Sequence, residues 1–239
     1  MSIPVIAITN LTTVLTDDQV KAVIPALQKQ VTDDFRAYWS VDCMLEFLPK
    51  GQPLPKGWWH IVVIDNPEIA GALGFHELSA QGTPLGKVFA KLDIDHGLSW
   101  TVTFSHELLE MLADPWINWI AQGDDGQLYA LEVADAVEAD ELGYLIDGVL
   151  VSDFVTPGWF EQTENDRVDF KQRIKNRLEL APGGYISVLD PNKGWIQITA
   201  RKDSRGPLEV AETAPPPMGS RRQRRTMDKA AWRRSEPTS

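Results

Sequence analysis

The stretch Trp100-Thr-Val-Thr-Phe-Ser-His106-Glu107-Leu-Leu-Glu110-Met-Leu-Ala-Asp114-Pro115 decides how the rest of the chain is read. Its apolar residues recur at helical spacing and Asp114-Pro115 stops the pattern, which predicts a helix from about Ser99 to Leu112. Residues three and four apart share a helix face, so Thr103, His106, Glu107 and Glu110 form one narrow polar stripe. Phe104, Leu108, Met111 and Leu112 lie largely on the opposite side. A helix this apolar is expected to be buried, and isolated carboxylates in such a place cost several kcal/mol or become protonated. A bound cation removes that penalty by giving imidazole and carboxylate a shared partner, and a structural polar network is the other reading of the same stripe.

Working outward, the upstream chain alternates strands and helices. Residues 3–8 read as a short strand. Thr16 with Gln19 makes a capping-box pattern that opens a helix. Its apolar stripe runs through Val20, Val23, Ile24, Leu27, Val31, Phe35 and Tyr38, and Pro25 predicts a kink or restart. Strands follow at 41–48 and, as a buried central strand, at 58–64. Residues 71–75 and 87–92 read as two more, joined by the turn-rich 80–86.

Downstream the pattern is more β-like. Asp124-Asp125-Gly126 is a turn, and 128–137 reads as a strand. Asp147-Gly148 between strand-like flanks predicts a hairpin. Thr163 with Asp166 opens an expected helix to about Leu178, and 185–189 with 195–200 forms a second hairpin. The expected class is α+β. Residues 1–115 form a first lobe, a mixed sheet with two main helices; 116–205 form a smaller β-rich lobe; 206–239 are a Pro/Arg-rich flexible tail.

Composition narrows the function classes. The chain of 239 residues carries a net charge of −11, unevenly placed. Residues 214–239 hold seven basic and two acidic side chains, net +5, which leaves 1–213 at −16. An acidic body repels nucleic acid, so an acidic surface or nucleic acid is expected only as a partner of the tail, whose other reading is a solvated appendage. No apolar run is long enough for a transmembrane helix and the N-terminus does not resemble a signal peptide, so a cytoplasmic location, the cell's own or a host's, and no membrane partner are expected. Cys43, the single cysteine, excludes an internal disulfide and a thiolate-rich zinc site. Trp58, Trp59 and Trp100 read as core. Trp116, Trp119 and Trp159 either pack or line a groove beside the polar stripe.

His106 and Glu110, at i and i+4, can address one ion, and Glu107 is placed to take a proton from water that the metal activates. The histidines are His60, His76, His96 and His106, so a further ligand downstream of 106 has to be a carboxylate. On strand alternation across 128–137, Asp135 sits in an apolar row with Tyr129, Leu131, Val133 and Val137, and Glu132 lies on the other face. Asp135 is therefore the first candidate, Glu132 the reserve and His96 the third; a turn-capping acid is the other reading of Asp135.

Ser105-His-Glu-Leu-Leu-Glu-Met-Leu-Ala-Asp-Pro115, followed by Glu132-Val-Ala-Asp135, resembles the Ser-His-Glu-x-x-Glu…Asp-Pro…Glu-x-x-Asp pattern of zincin-like metallopeptidases found among phage-encoded and secreted proteins. The order of elements ahead of the motif is similar to the N-terminal lobe of metzincins. The resemblance covers residues 1–160. It implies a zincin-like lobe, Zn²⁺ or another divalent cation in a cleft above the metal helix, a peptide or protein substrate, and an edge strand at 71–75 or 87–92 for that substrate to pair with. Glu110, Ala113 and Trp116 stand where the metzincin pattern has His, Gly and His or Asp, and Met218 and Met227 lie in the tail. Two activities therefore follow: a zinc-dependent metallohydrolase, or an inactive zincin-like structural or interaction protein, such as a phage virion or assembly component, anchored by its Arg-rich tail.

Overall fold

The computed structural model describes residues 3–65, 73–123, 125–162 and 167–200, together with the backbone of 210–213. The chain is a mixed α+β protein. β1 (Val5–Asn10), β2 (Met44–Phe47), β3 (Trp59–Ile64), β4 (Gly74–Leu78) and β5 (Pro84–Phe89) form one sheet in the order β2-β1-β3-β5-β4. All its pairings are parallel except β4 with β5, so β4 is an antiparallel strand at the sheet edge. The expected strand at 87–92 is half wrong: β5 ends at Phe89, and residues 90–95 are the helix α3 (Ala90–Asp95). Residues 71 and 72 of the expected edge strand lie outside the described residues.

The helix α1 (Asp17–Lys29) starts on the expected capping box. Thr16 N–H donates to Gln19 Oε1 at 2.8 Å, and Gln19 N–H donates to Thr16 Oγ1 at 3.2 Å. Pro25 does not end it. The irregularity comes later, where residues 30–35 form a π-helical turn before α2 (Arg36–Trp39). That turn buries Gln30, whose side chain donates to Ser152 O at 2.8 Å and so ties the helix to the second half of the chain.

The second sheet has the order β12-β11-β10-β7-β6 and is antiparallel throughout. Its strands are β6 (Ile120–Gln122), β7 (Leu128–Ala130), β10 (Tyr185–Asp190), β11 (Gly194–Ala200) and β12 (Val210–Thr213). β12 falls inside the stretch expected to be flexible; residues 201–209 and 214–239 lie outside the described residues. β8 (Tyr144–Ile146) and β9 (Val149–Val151) form the expected hairpin, turning through Asp147 and Gly148 at φ 50° and 87°, the left-handed values that an Asp-Gly turn supplies.

The expected helix at 163–178 is a correction. Residues 163–166 lie outside the described residues, and 167–178 are not helical. A buried carboxylate pair organises this segment instead. Asp153 Oδ1 accepts from Phe154 N at 2.8 Å and Lys171 N at 3.1 Å, and Asp169 accepts from Arg173 N at 2.7 Å and Ile174 N at 3.3 Å. These bonds outweigh local helix propensity, with Gln172 and Leu178 held at positive φ. Burial, and the hydrogen bond and charge of Asp169, push the Asp153 carboxyl far above the usual carboxylate range.

That shift has a sign. A carboxyl raised in the folded state stabilises fully below its unfolded value of about 3.9 and loses that contribution as pH rises toward the folded value. Asp153→Asn keeps a donor toward Asp169 without titrating. Between pH 5 and pH 8 the wild type is therefore expected to lose melting temperature relative to this variant, whereas parallel profiles would contradict the raised Asp153 carboxyl.

α4 (Trp100–Ala113) runs between the two halves, packing on β4, β5 and β9, and every residue from Thr101 to Ala113 is buried. Its first turn is capped from outside: Asp140 Oδ2 accepts from Ser99 N at 2.7 Å. Thr101 Oγ1 donates to Leu150 O at 2.6 Å, and Ser105 Oγ accepts from Ser152 N at 2.6 Å. These bonds fix its rotation against β9. A single apolar cluster joins Phe104, Leu108, Leu109 and Met111 to Ile61, Val88, Val133, Phe154 and Trp159. No helix among the described residues is long and apolar enough to cross a membrane.

Candidate metal centre

The polar stripe predicted on α4 turns into the protein. His106, Glu107 and Glu110 are all buried, with His106 the most exposed of the three at 8%. The chain after β7 supplies the facing acids. Strand geometry ends at Ala130, and residues 131–134 turn into a 3₁₀ segment at Asp135–Val137. The alternation used to separate Glu132 from Asp135 therefore does not apply. Both are buried, and each falls within reach of Glu110. Val155 N–H donates to Val133 O at 2.7 Å, which holds this turn in place.

His106 Nε2 lies 3.3 Å from Glu110 Oε1 and 3.2 Å from Asp135 Oδ1. A tetrahedral ion with bonds of about 2.0–2.2 Å needs donors roughly 3.3–3.6 Å apart, so the spacing of these atoms suits zinc. One nitrogen and two carboxylate oxygens are an ordinary donor set for it. Burial alone would lower the pKa of His106, but the charge of Glu110 and hydrogen bonds donated to Asp135 and Glu110, with the charge of Glu107 adding, raise it well above the ordinary imidazole value. The raised value keeps a proton on the imidazole between the two acids, and a cation held by the same three groups would displace that proton.

His76 was missed by the sequence reading. It sits on β4, fully buried, with Nδ1 3.7 Å from Glu107 Oε2 and 3.8 Å from Glu110 Oε2. Gly74 makes that approach possible. A Cβ there would lie 2.8 Å from both Glu107 Cγ and Thr103 Cγ2, so β4 reaches α4 only because position 74 carries no side chain. Gly74→Ala is expected to cost about 1–3 kcal/mol in urea unfolding, because it overpacks a buried contact. Unchanged stability would mean that Glu107 moves aside freely.

The other expected neighbours divide. His96 caps α3, with Nδ1 2.8 Å from Leu92 O and an exposed side chain, and is not part of the cluster. Thr103 Oγ1 donates to Asp93 Oδ1 at 3.1 Å; burial pushes the Asp93 carboxyl up to about 7. Trp159 is core. Trp116 and Trp119 are about half exposed, on a loop organised by Asp114, whose carboxylate accepts from Asn118 N at 2.9 Å and Trp119 N at 3.1 Å. Trp116 meets Trp59 edge-on at 6.4 Å between ring centres.

Comparison with known proteins brings no assignment: no protein family, curated protein or solved structure matches the chain.

Proposed function

We infer that the protein is a zincin-like, zinc-dependent metallohydrolase acting on peptide bonds, with His106, Glu110 and Asp135 as metal ligands and Glu107 as general base. The observation that carries this reading is the buried meeting of His106 Nε2 with Glu110 Oε1 and Asp135 Oδ1 at 3.3 and 3.2 Å. Two features add support: β4, an antiparallel strand at the edge of the first sheet beside α4, and the order of elements ahead of α4. When bound, zinc supplies Lewis-acid chemistry, acidifying water and stabilising negative charge on a carbonyl oxygen.

The chain's own residues do the rest. Glu107, on the stripe between His106 and Glu110, takes the proton of the attacking water on its carboxylate and returns it to the leaving amine. β4 offers its outer backbone edge to an extended peptide. The basic stretch 214–239 is the segment proposed to hold an acidic surface or nucleic acid.

A second reading, a zincin-like scaffold without catalysis such as a virion or assembly component, is favoured by burial. Glu107 is 3% exposed, which leaves little room for a substrate carbonyl. The test is mass-spectrometric detection of cleavage in a peptide library by the zinc-loaded full chain. Cleavage that a chelator removes and zinc restores is expected; a zinc-holding chain that cleaves nothing contradicts the hydrolase and leaves the scaffold.

A further inference from the structure

Glu110 addresses two groups of ligands, one with each oxygen. Its Oε1 lies against His106 and accepts from Ala134 N at 3.4 Å, while Oε2 lies 3.8 Å from His76 Nδ1. The first oxygen belongs with His106 and Asp135. Around the second, His76, Glu110 and Glu132 offer an imidazole nitrogen and two carboxylate oxygens, all within 4.8 Å of one another and all buried. These three side chains come from three separate parts of the fold: β4, α4 and the turn after β7. Their meeting depends on the bare approach of β4 at Gly74.

We propose that a divalent cation binds between His76, Glu110 and Glu132, and that Glu110 bridges it to the cation held by His106 and Asp135. The inference rests on the centre described above for its shared ligand, though not on catalysis there. Charge agrees with a pair. Within this set four carboxylates, of Glu107, Glu110, Glu132 and Asp135, face two imidazoles, all buried together. With neutral imidazoles, one divalent ion leaves the set at about −2, and two bring it to about zero. Paired metal sites joined by shared ligands are a common arrangement for hydrolytic chemistry. The wider spacing around His76 and the carboxylate-rich donor set suit a hard, adaptable ion such as Mn²⁺ or Co²⁺ as well as Zn²⁺.

The full-length chain is stripped with a chelator, titrated with Co²⁺ and analysed for bound metal after gel filtration, in parallel with His76→Gln and His106→Gln. The wild type is expected to hold about two equivalents and each variant about one. One equivalent that His106→Gln removes and His76→Gln leaves intact overturns this inference and spares the reading above. One equivalent that only His76→Gln removes keeps the His76 site and overturns the His106 centre instead. No bound cobalt overturns both. Because either buried histidine variant can fail to fold, the wild type loaded with Mn²⁺ gives an independent readout. An exchange-coupled pair signal in its electron paramagnetic resonance spectrum is expected, and isolated-ion signals alone overturn the bridge.

Discussion

Glu107→Gln is expected to lower peptide cleavage by about 10²–10⁴-fold while leaving the bound metal in place, the range typical for loss of a positioned general base. The substitution keeps the shape of the side chain. Its close contact with β4 at Gly74 is therefore preserved. Glu107 is also absent from the triad that converges at His106 Nε2, so metal content reports on folding and not on the base. Two ways of losing activity then separate: His106→Gln loses the cation held at His106 together with turnover, and Glu107→Gln loses turnover alone. Steady-state cleavage with metal analysis on the same samples decides it. A Glu107→Gln protein that cleaves as fast as its parent removes the general-base role.

Removing the metal is expected to destabilise the whole fold and not merely the site. α4 is packed against both halves, and its polar stripe faces the turn that carries Glu132 and Asp135. Without an ion these acids are left facing one another, with the His106 proton shared between two of them. An ion at a thousand times its dissociation constant stabilises the folded state by about 4 kcal/mol, which corresponds to roughly 8–16 °C in Tm for a chain of this size. Calorimetry of the chain before and after chelation, with zinc returned in a third scan, measures it. An unchanged Tm on chelation would place the cluster among structural polar networks.

The sequence made α4 legible because two signals coincide there: an apolar pattern at helical spacing and one polar stripe within it. The first sheet was legible for a related reason, since β1, β2 and β3 are short β-rich runs bounded by turns, and the capping box fixed the start of α1. Asp135 was reached by a route that does not hold. Alternation along one long strand selected it over Glu132, whereas the chain leaves strand geometry after Ala130 and brings both acids to Glu110.

His76 carried a usable signal that went unread. In Gly74-Phe-His-Glu-Leu78 the glycine and the histidine share a strand face, and a glycine inside a strand marks a close backbone approach. His96, closer to α4 in sequence, is exposed at the end of α3, whereas His76 reaches the helix through the pairing of β4 with β5. The helix expected at 163–178 failed for a non-local reason. Asp169 pairs with Asp153, and the backbone donors that hold the pair are Phe154 upstream and Lys171, Arg173 and Ile174 within the segment, an arrangement that local propensity does not encode.

The proposed chemistry follows from a cation clasped by the buried imidazole and acids of α4 and the turn after β7. The most direct test is anomalous scattering at the zinc edge from crystals of the protein purified with zinc. A peak within coordination distance of His106 Nε2, Glu110 and Asp135 together is expected. Density that leaves His106 in direct hydrogen bonds to both carboxylates, with no anomalous peak between them, would contradict it.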